Sequence, residues 1–133
     1  MTPHRVSAIL IRMANQLTQL DHVFGALSDA TRRAIVMRLC EGETSVGELA
    51  KPFDMALPSL MKHLRVLETS GLIVSEKIGR VRTCSLQPEA LGTIETWAAT
   101  QRAIWQHRLD RLEHYIENLK NGEKPHARQR KSK

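Results

Sequence analysis

The residues in this chain best suited to chemistry are donors and cations that match a polyanion, set close together near the middle. Pro58, Ser59, Met61, Lys62, His63 and Arg65 fall in the stretch ALPSLMKHLRVLETSG, and Lys77, Arg80 and Arg82 in the stretch that follows, LIVSEKIGRVRTCSL. An ammonium such as that of Lys62 can donate to guanine O6 or N7. A hydroxyl such as that of Ser59 serves a base edge or a phosphate, and Met61 or Pro58 offers apolar contact to a thymine methyl. Lys77, Arg80 and Arg82 suit backbone phosphates or a narrow minor groove. His63 lies beside an apolar stripe and reads as a structural imidazole or a phosphate donor rather than a base reader or metal ligand. Each basic residue alone is ordinary for a solvated surface. Five of them against two acidic residues over 56–86 form a local excess, and that excess points to a nucleic-acid partner.

These residues need elements to hold them. Leu57, Leu60, Leu64 and Leu67 recur at helical spacing with Lys62 and Arg65 off the stripe, which predicts an amphipathic helix with a basic outer face. Ser70-Gly71 supplies its stop. Two β-prone runs follow, Leu72–Ile78 and Val81–Leu86, joined through Gly79-Arg80, and they predict a hairpin with a basic tip. Upstream, Ser45-Val-Gly-Glu48 matches a capping box for a short helix carrying Val46, Leu49 and Ala50 inward, closed by Pro52. The link Phe53-Asp54-Met55 is short enough to force the two helices across one another, the geometry of a helix-turn-helix. Pro58 sits in the first turn of the second helix, where a missing N–H costs nothing. Before these, Ser28-Asp29 predicts an N-cap for a helix that turns Ala30, Ile35, Val36 and Leu39 inward and stops at Glu41-Gly42. Arg32 and Arg33 lie in its first turn, where the helix dipole disfavours cations, so each requires a partner, with a carboxylate expected over a phosphate.

Two long apolar seams flank this unit. Val6, Leu10, Met13, Leu17, Leu20, Phe24 and Leu27 alternate steps of four and three residues, a heptad-like stripe. Leu91, Ile94, Ala98, Trp105, Leu109, Leu112, Ile116 and Leu119 mark a second, widened by Trp97, Ile104 and Tyr115, in one helix from Pro88 to about Lys120. A small domain cannot bury both seams by itself. The expected architecture is mainly α with a small β-hairpin wing (α+β), a winged helix-turn-helix. Residues 1–20 form a helical extension, 21–87 the binding core, 88–120 a dimerisation helix and 121–133 a basic disordered tail. Leu10, Met13, Leu17, Leu20, Trp105, Leu109, Leu112 and Ile116 are the residues expected to join two copies of the chain.

Composition narrows the function. The 133 residues suit one domain of aliphatic rather than aromatic core. The net charge of +6 is unevenly placed: residues 1–119 hold 14 basic and 13 acidic side chains, residues 120–133 six and one. No apolar run reaches membrane-spanning length and no leader pattern is present, so a cytoplasmic protein without a membrane partner is expected. Cys40 and Cys84 have no paired spacing and read as buried structural thiols, which excludes a disulfide framework or zinc finger. No Gly-rich phosphate loop, HExxH, nucleophile elbow or CxxC occurs, and no enzymatic activity or cofactor is expected.

The segments Val23-FGALSDATRRAIVMRLCEGETSVGELA and LPSLMKHLRVLETSGLIVSEKIGR resemble the ArsR/SmtB family of bacterial winged-helix repressors, and the resemblance extends over about residues 21–119. It implies a homodimeric transcriptional repressor binding double-stranded DNA at an inverted repeat, with the helix after Ala56 as recognition helix and the terminal helices as the dimer contact. Metal-sensing members carry a Cys-x-Cys-Asp-type motif where this chain has Ser45-Val-Gly-Glu48. They also carry an Asp-x-His paired with a later His-x-x-Glu; here His114-Tyr-Ile-Glu117 remains, while Gln101-Arg102-Ala103 stands at the upstream positions. His107, Asp110 and His114 share a helix face without completing either set. The similarity is therefore to a metal-independent branch, with no metal site expected. In that branch serines usually stand at the positions of Ala56 and Met61, so this chain loses an N-cap and gains apolar readout. Two other readings stand beside this one. One is a metal- or thiol-responsive sensor of the same fold; the other is a winged-helix protein-interaction module that does not read DNA.

Overall fold

The computed structural model describes residues 3–122. Its elements run α1 (Pro3–Leu27), α2 (Ala30–Leu39), β1 (Thr44–Ser45), α3 (Val46–Ala50), α4 (Leu57–Thr69), β2 (Ile73–Ile78), β3 (Val81–Leu86) and α5 (Pro88–Lys120). The chain divides into two compact units, Met1–Glu95 and Thr96–Lys133. The part of the expected tail from residue 123 onward lies outside the described residues.

Everything in the first unit gathers around α4. Leu60, Leu64 and Leu67 are each no more than 1% exposed, and burying three leucines contributes about 1.5–3 kcal/mol apiece. Leu57, expected on the same stripe, is 55% exposed. It opens the helix beside Pro58, and the inward stripe begins one turn later. Ala56 at the N-cap makes no side-chain bond. The C-terminus is closed by a Schellman pair: Leu72 N–H donates to Leu67 C=O at 3.1 Å and Gly71 N–H to Glu68 C=O at 3.0 Å. Gly71 at φ 83° makes that turn, and the flanking Leu67 and Leu72 are both fully buried.

The sheet has three strands, not the two expected, in the order β1-β3-β2, all antiparallel. Thr44 pairs with Cys84 and Ser45 with Thr83; a strand of two residues is too short to show alternation in sequence. Ser45 thus serves twice, in the sheet and as N-cap of α3, its Oγ accepting from Glu48 N–H at 3.2 Å. The second half of the expected capping box is replaced. Glu48 Oε1 instead accepts from Lys51 Nζ at 2.9 Å, an exposed pair of small energetic weight.

α2 adds Ile35, Val36 and Leu39 to the core, α3 adds Leu49, and α1 adds Val23 and Ala26. Ala30, expected inward, is exposed as the first residue of its helix. The compact unit continues past residue 87 into the first two turns of α5, where Ala90 is buried and Leu91 and Ile94 pack against the core. Cys84 is buried, which pushes its thiol pKa up, with Glu68 nearby adding to the shift. Cys40 departs from expectation: it is exposed, because it caps α2 where the chain turns outward. Along α1 the predicted seam is half-buried at Leu20 and Leu27, and exposed at Val6, Leu10, Met13, Leu17 and Phe24. In the second unit Trp105, Leu109, Leu112 and Ile116 are exposed on α5.

Leu64→Ala should lower unfolding stability by about 3 kcal/mol, and Gly71→Ala, forced to a positive φ, by about 1 kcal/mol. Urea titration measures both. A Leu64→Ala loss no larger than that of Gly71→Ala would show that α4 does not organise the core.

Candidate nucleic-acid interface

With Leu60, Leu64 and Leu67 turned inward, the helical period turns Ser59, Lys62, Arg65 and Val66 outward, and all four are exposed. Leu57 and Pro58 are exposed at the N-terminal end of the same helix, the end that reaches base edges when a helix enters a major groove. Met61 lies at the edge of this face, where partial exposure is expected. It is half-buried and packs against the core, leaving only part of its side chain for an outside contact. Leu57 presents the larger apolar surface, and the leucine repeat concealed this by including it in the stripe.

The hairpin turns on two residues, with Ile78 opposite Val81. Gly79 has φ 65° and Arg80 a negative φ, the type II′ pattern whose twist matches the strands. Lys77 lies directly across from Arg82, so two cations share one face. Like charges at such a position destabilise a sheet, which sets the wing up for an anion. Arg82 has partial compensation: its Nη1 donates to Ser75 Oγ at 3.1 Å. The Ser75 hydroxyl in turn donates to Glu68 Oε1 on α4, and this chain of bonds links the wing to the helix. Lys62, Arg65, Lys77 and Arg80 make no side-chain ion pair or hydrogen bond with another described residue.

Behind the outer face lies a polar corner that sequence reasoning placed wrongly. Among the described residues neither the Arg32 nor the Arg33 side chain pairs with a carboxylate. Arg32 Nε donates to Ala26 C=O at 2.7 Å and Nη2 to Gly25 C=O at 3.2 Å, while Arg33 Nη1 donates to Leu27 C=O at 2.9 Å. The cations donate to the carbonyls at the end of α1, where the helix dipole favours them, the Gly25 carbonyl being shared with Ser28. The signal was available in the two-residue link Ser28-Asp29, which brings the first turn of α2 back beside the last turn of α1. Asp29 caps α2 by accepting from Arg32 N–H at 3.0 Å. His63 completes the corner, its Nδ1 3.3 Å from Arg32 Nη1 and 3.8 Å from Asp29 Oδ2. The backbone N–H of Arg32, helped by that residue's guanidinium, holds the Asp29 carboxyl below its ordinary pKa.

Among the described residues no three His, Cys, Asp or Glu side chains come together in a way that would hold a metal ion. No described helix is long and apolar enough to cross a membrane.

Residues 27–76 match a helix-turn-helix domain model. The chain is 41% identical over 76 residues to the HTH-type transcriptional regulator Rv2034 of Mycobacterium tuberculosis, covering 57% of this chain and 71% of that one. It is 32% identical over 99 residues to the arsenical resistance operon repressor of Escherichia coli, covering 73% and 81%. The crystal structure of an ArsR family transcriptional regulator superposes with a TM-score of 0.65 at 53% identity, covering 67% of this chain and 92% of that one. The chain belongs to the ArsR family. It is accordingly a winged helix-turn-helix transcriptional regulator, with α3 and α4 as the helix-turn-helix and β2–β3 as the wing. The homodimeric winged helix-turn-helix DNA-binding domain of a Mycobacterium bovis protein is also similar, with a TM-score of 0.56 at 27% identity over 77% of this chain and 90% of that one.

The Asp29 carboxyl has a folded pKa below its unfolded one. Its contribution to stability is therefore present above the unfolded value and lost as pH falls through the folded value. Asp29→Asn keeps a capping side chain but cannot titrate. Thermal unfolding should give a constant gap between wild type and Asp29→Asn above about pH 5, with the wild type losing ground to the variant below about pH 4. A gap independent of pH throughout would remove the capping carboxylate from the account.

Proposed function

We propose that the chain is a homodimeric repressor of an inverted-repeat operator, in which α4 of each protomer enters a major groove and the β2–β3 hairpin grips the flanking backbone. The observation that carries this reading is the unpaired state of Lys62, Arg65, Lys77 and Arg80. These four exposed cations stand on the helix-and-wing surface of one compact unit, where a structural role would have given them partners. Lys62 and Ser59 are the base-edge readers, with Pro58, Leu57 and the exposed part of Met61 as apolar contacts. Arg65, Lys77, Arg80, Arg82 and His63 hold phosphates. The basic segment 121–133 adds sequence-independent attraction.

Two copies are needed because an inverted repeat mirrors a twofold axis. The exposed seam of α1 (Leu10, Met13, Leu17, with half-buried Leu20) and that of α5 (Trp105, Leu109, Leu112, Ile116) supply apolar surface that a second copy would cover. The homodimeric state of the Mycobacterium bovis domain supports this assembly. The name of the Escherichia coli relative supports repression. Metal-independent action is supported at the start of α3, where Ser45 Oγ and the Glu48 carboxylate both have partners already and no thiolate is present.

Lys62→Ala should weaken binding to the cognate site by about 1–3 kcal/mol while leaving binding to random DNA nearly unchanged. Titration of the purified protein against its own upstream DNA, with and without chelator, provides the measurement. Equal losses on both DNAs would reassign Lys62 to phosphate. Sedimentation at micromolar concentration should show a dimer; monomer alone would refute the assembly.

A further inference from the structure

In the corner between α1, α2 and α4 an imidazole faces a guanidinium. The Arg32 guanidinium carries only donors and does not lose its charge. Its Nη1 lies 3.3 Å from His63 Nδ1, a contact that is favourable only if Nδ1 is the unprotonated, accepting nitrogen. Asp29 argues the other way, since a carboxylate near Nδ1 would welcome a proton there. Its Oδ2 is 3.8 Å away, however, beyond hydrogen-bond range, and already accepts the Arg32 backbone N–H. Distance decides between them, and Arg32 wins. Arg32 is itself held in place by the Gly25 and Ala26 carbonyls, so the donor facing Nδ1 is fixed by the end of α1.

We infer that Arg32 is a positioning residue for DNA binding: it holds His63 of α4 in the Nε2–H tautomer, so that Nε2–H is a ready donor for a DNA phosphate. This rests on α4 being the DNA-contacting helix. A neutral imidazole has one donor and one acceptor, and with Nδ1 accepting from Arg32 its donor must be Nε2. His63 is partly exposed, so that donor is not sealed in the core. Arg32 thus acts on DNA through His63, without touching it.

The test has a readout that needs no DNA. Nitrogen-15 NMR of the full chain, recorded at neutral pH, distinguishes the two neutral tautomers and the imidazolium. Wild type should show His63 protonated at Nε2 alone, and Arg32→Met should shift the population toward a protonated Nδ1. An Nδ1–H or imidazolium form in the wild type, or a tautomer unchanged by Arg32→Met, would overturn the inference. Binding is then read on a short random-sequence duplex at low salt, where phosphate contacts suffice. His63→Asn keeps an acceptor at the δ position but has no donor at ε, and should weaken binding about tenfold. His63→Gln keeps a donor at ε and should stay within about twofold of wild type. It needs no Arg32 contact, so it tests the inference even if Arg32→Met fails to fold. Equal losses for Asn and Gln would overturn the phosphate role of Nε2. Failure of the wild type to bind any duplex would instead strike the DNA-binding reading itself, with the tautomer result standing apart.

Discussion

Burial of the Leu60–Leu64–Leu67 stripe is the constraint from which the rest of the first unit follows. A helix has one degree of freedom about its own axis once its ends are placed, and three leucines removed from water remove it. Rotating α4 by one residue position would expose this stripe at a cost of several kcal/mol and would turn Lys62 and Arg65 toward the core, where unpaired charges cannot be accommodated. The outer face is therefore selected twice, by what must be inside and by what cannot be. The Schellman turn at Gly71 then starts β2 at a fixed point, and the strand register carries that placement out to Lys77, Arg80 and Arg82.

A second set of bonds fixes α4 against its neighbours. The core leucines determine its rotation but only loosely its position along the axis, because an apolar surface accepts small slides. Polar contacts resist sliding, since their energy falls off steeply with distance and angle. Arg32 and His63 bind one side of the helix to the α1–α2 corner. Glu68, through Ser75 and Arg82, binds its C-terminal end to the wing. Helix and wing are thus joined by side-chain bonds as well as by the turn at Gly71.

The parts of this arrangement that were legible in sequence share one property: each depends on periodicity or on a local turn. The α4 stripe, the Gly71 stop, the hairpin at Gly79-Arg80 and the extent of α5 all follow from residues within a few positions of each other. What was not legible depends on contacts between distant segments. Whether Arg32 meets a carboxylate or a carbonyl is decided by where α1 ends in space, and the strand β1 exists because Cys84 lies beside Thr44. Leu57 was misplaced for a related reason. A repeat of leucines gives the phase of a helix but not the turn at which its neighbours begin, so the first residue of the stripe was assigned to it although it is exposed. Cys40 was read as buried from its apolar neighbours, when the capping turn after Leu39 carries it out.

The electrostatics of the wing show why this surface is better explained by an anionic partner than by stability. Lys77 and Arg82 face each other across the ladder, and such a pair weakens a two-stranded ribbon by some tenths of a kcal/mol. A sequence optimised for stability would place Glu or Thr at one of these positions. Among the described residues the one side-chain bond that relieves it is the hydrogen bond from Arg82 to Ser75, which leaves both charges intact. Residues 1–119 are nearly neutral in total, so this is not a general excess of positive charge that happens to reach the hairpin. Glu76 stands on β2 next to Lys77 but alternates to the other face of the ribbon, and among the described residues neither it nor Glu68, which the Ser75 hydroxyl engages, forms an ion pair with a wing cation. A surface with its cations so placed, next to a helix whose rotation is fixed, suits the phosphate contacts proposed for it.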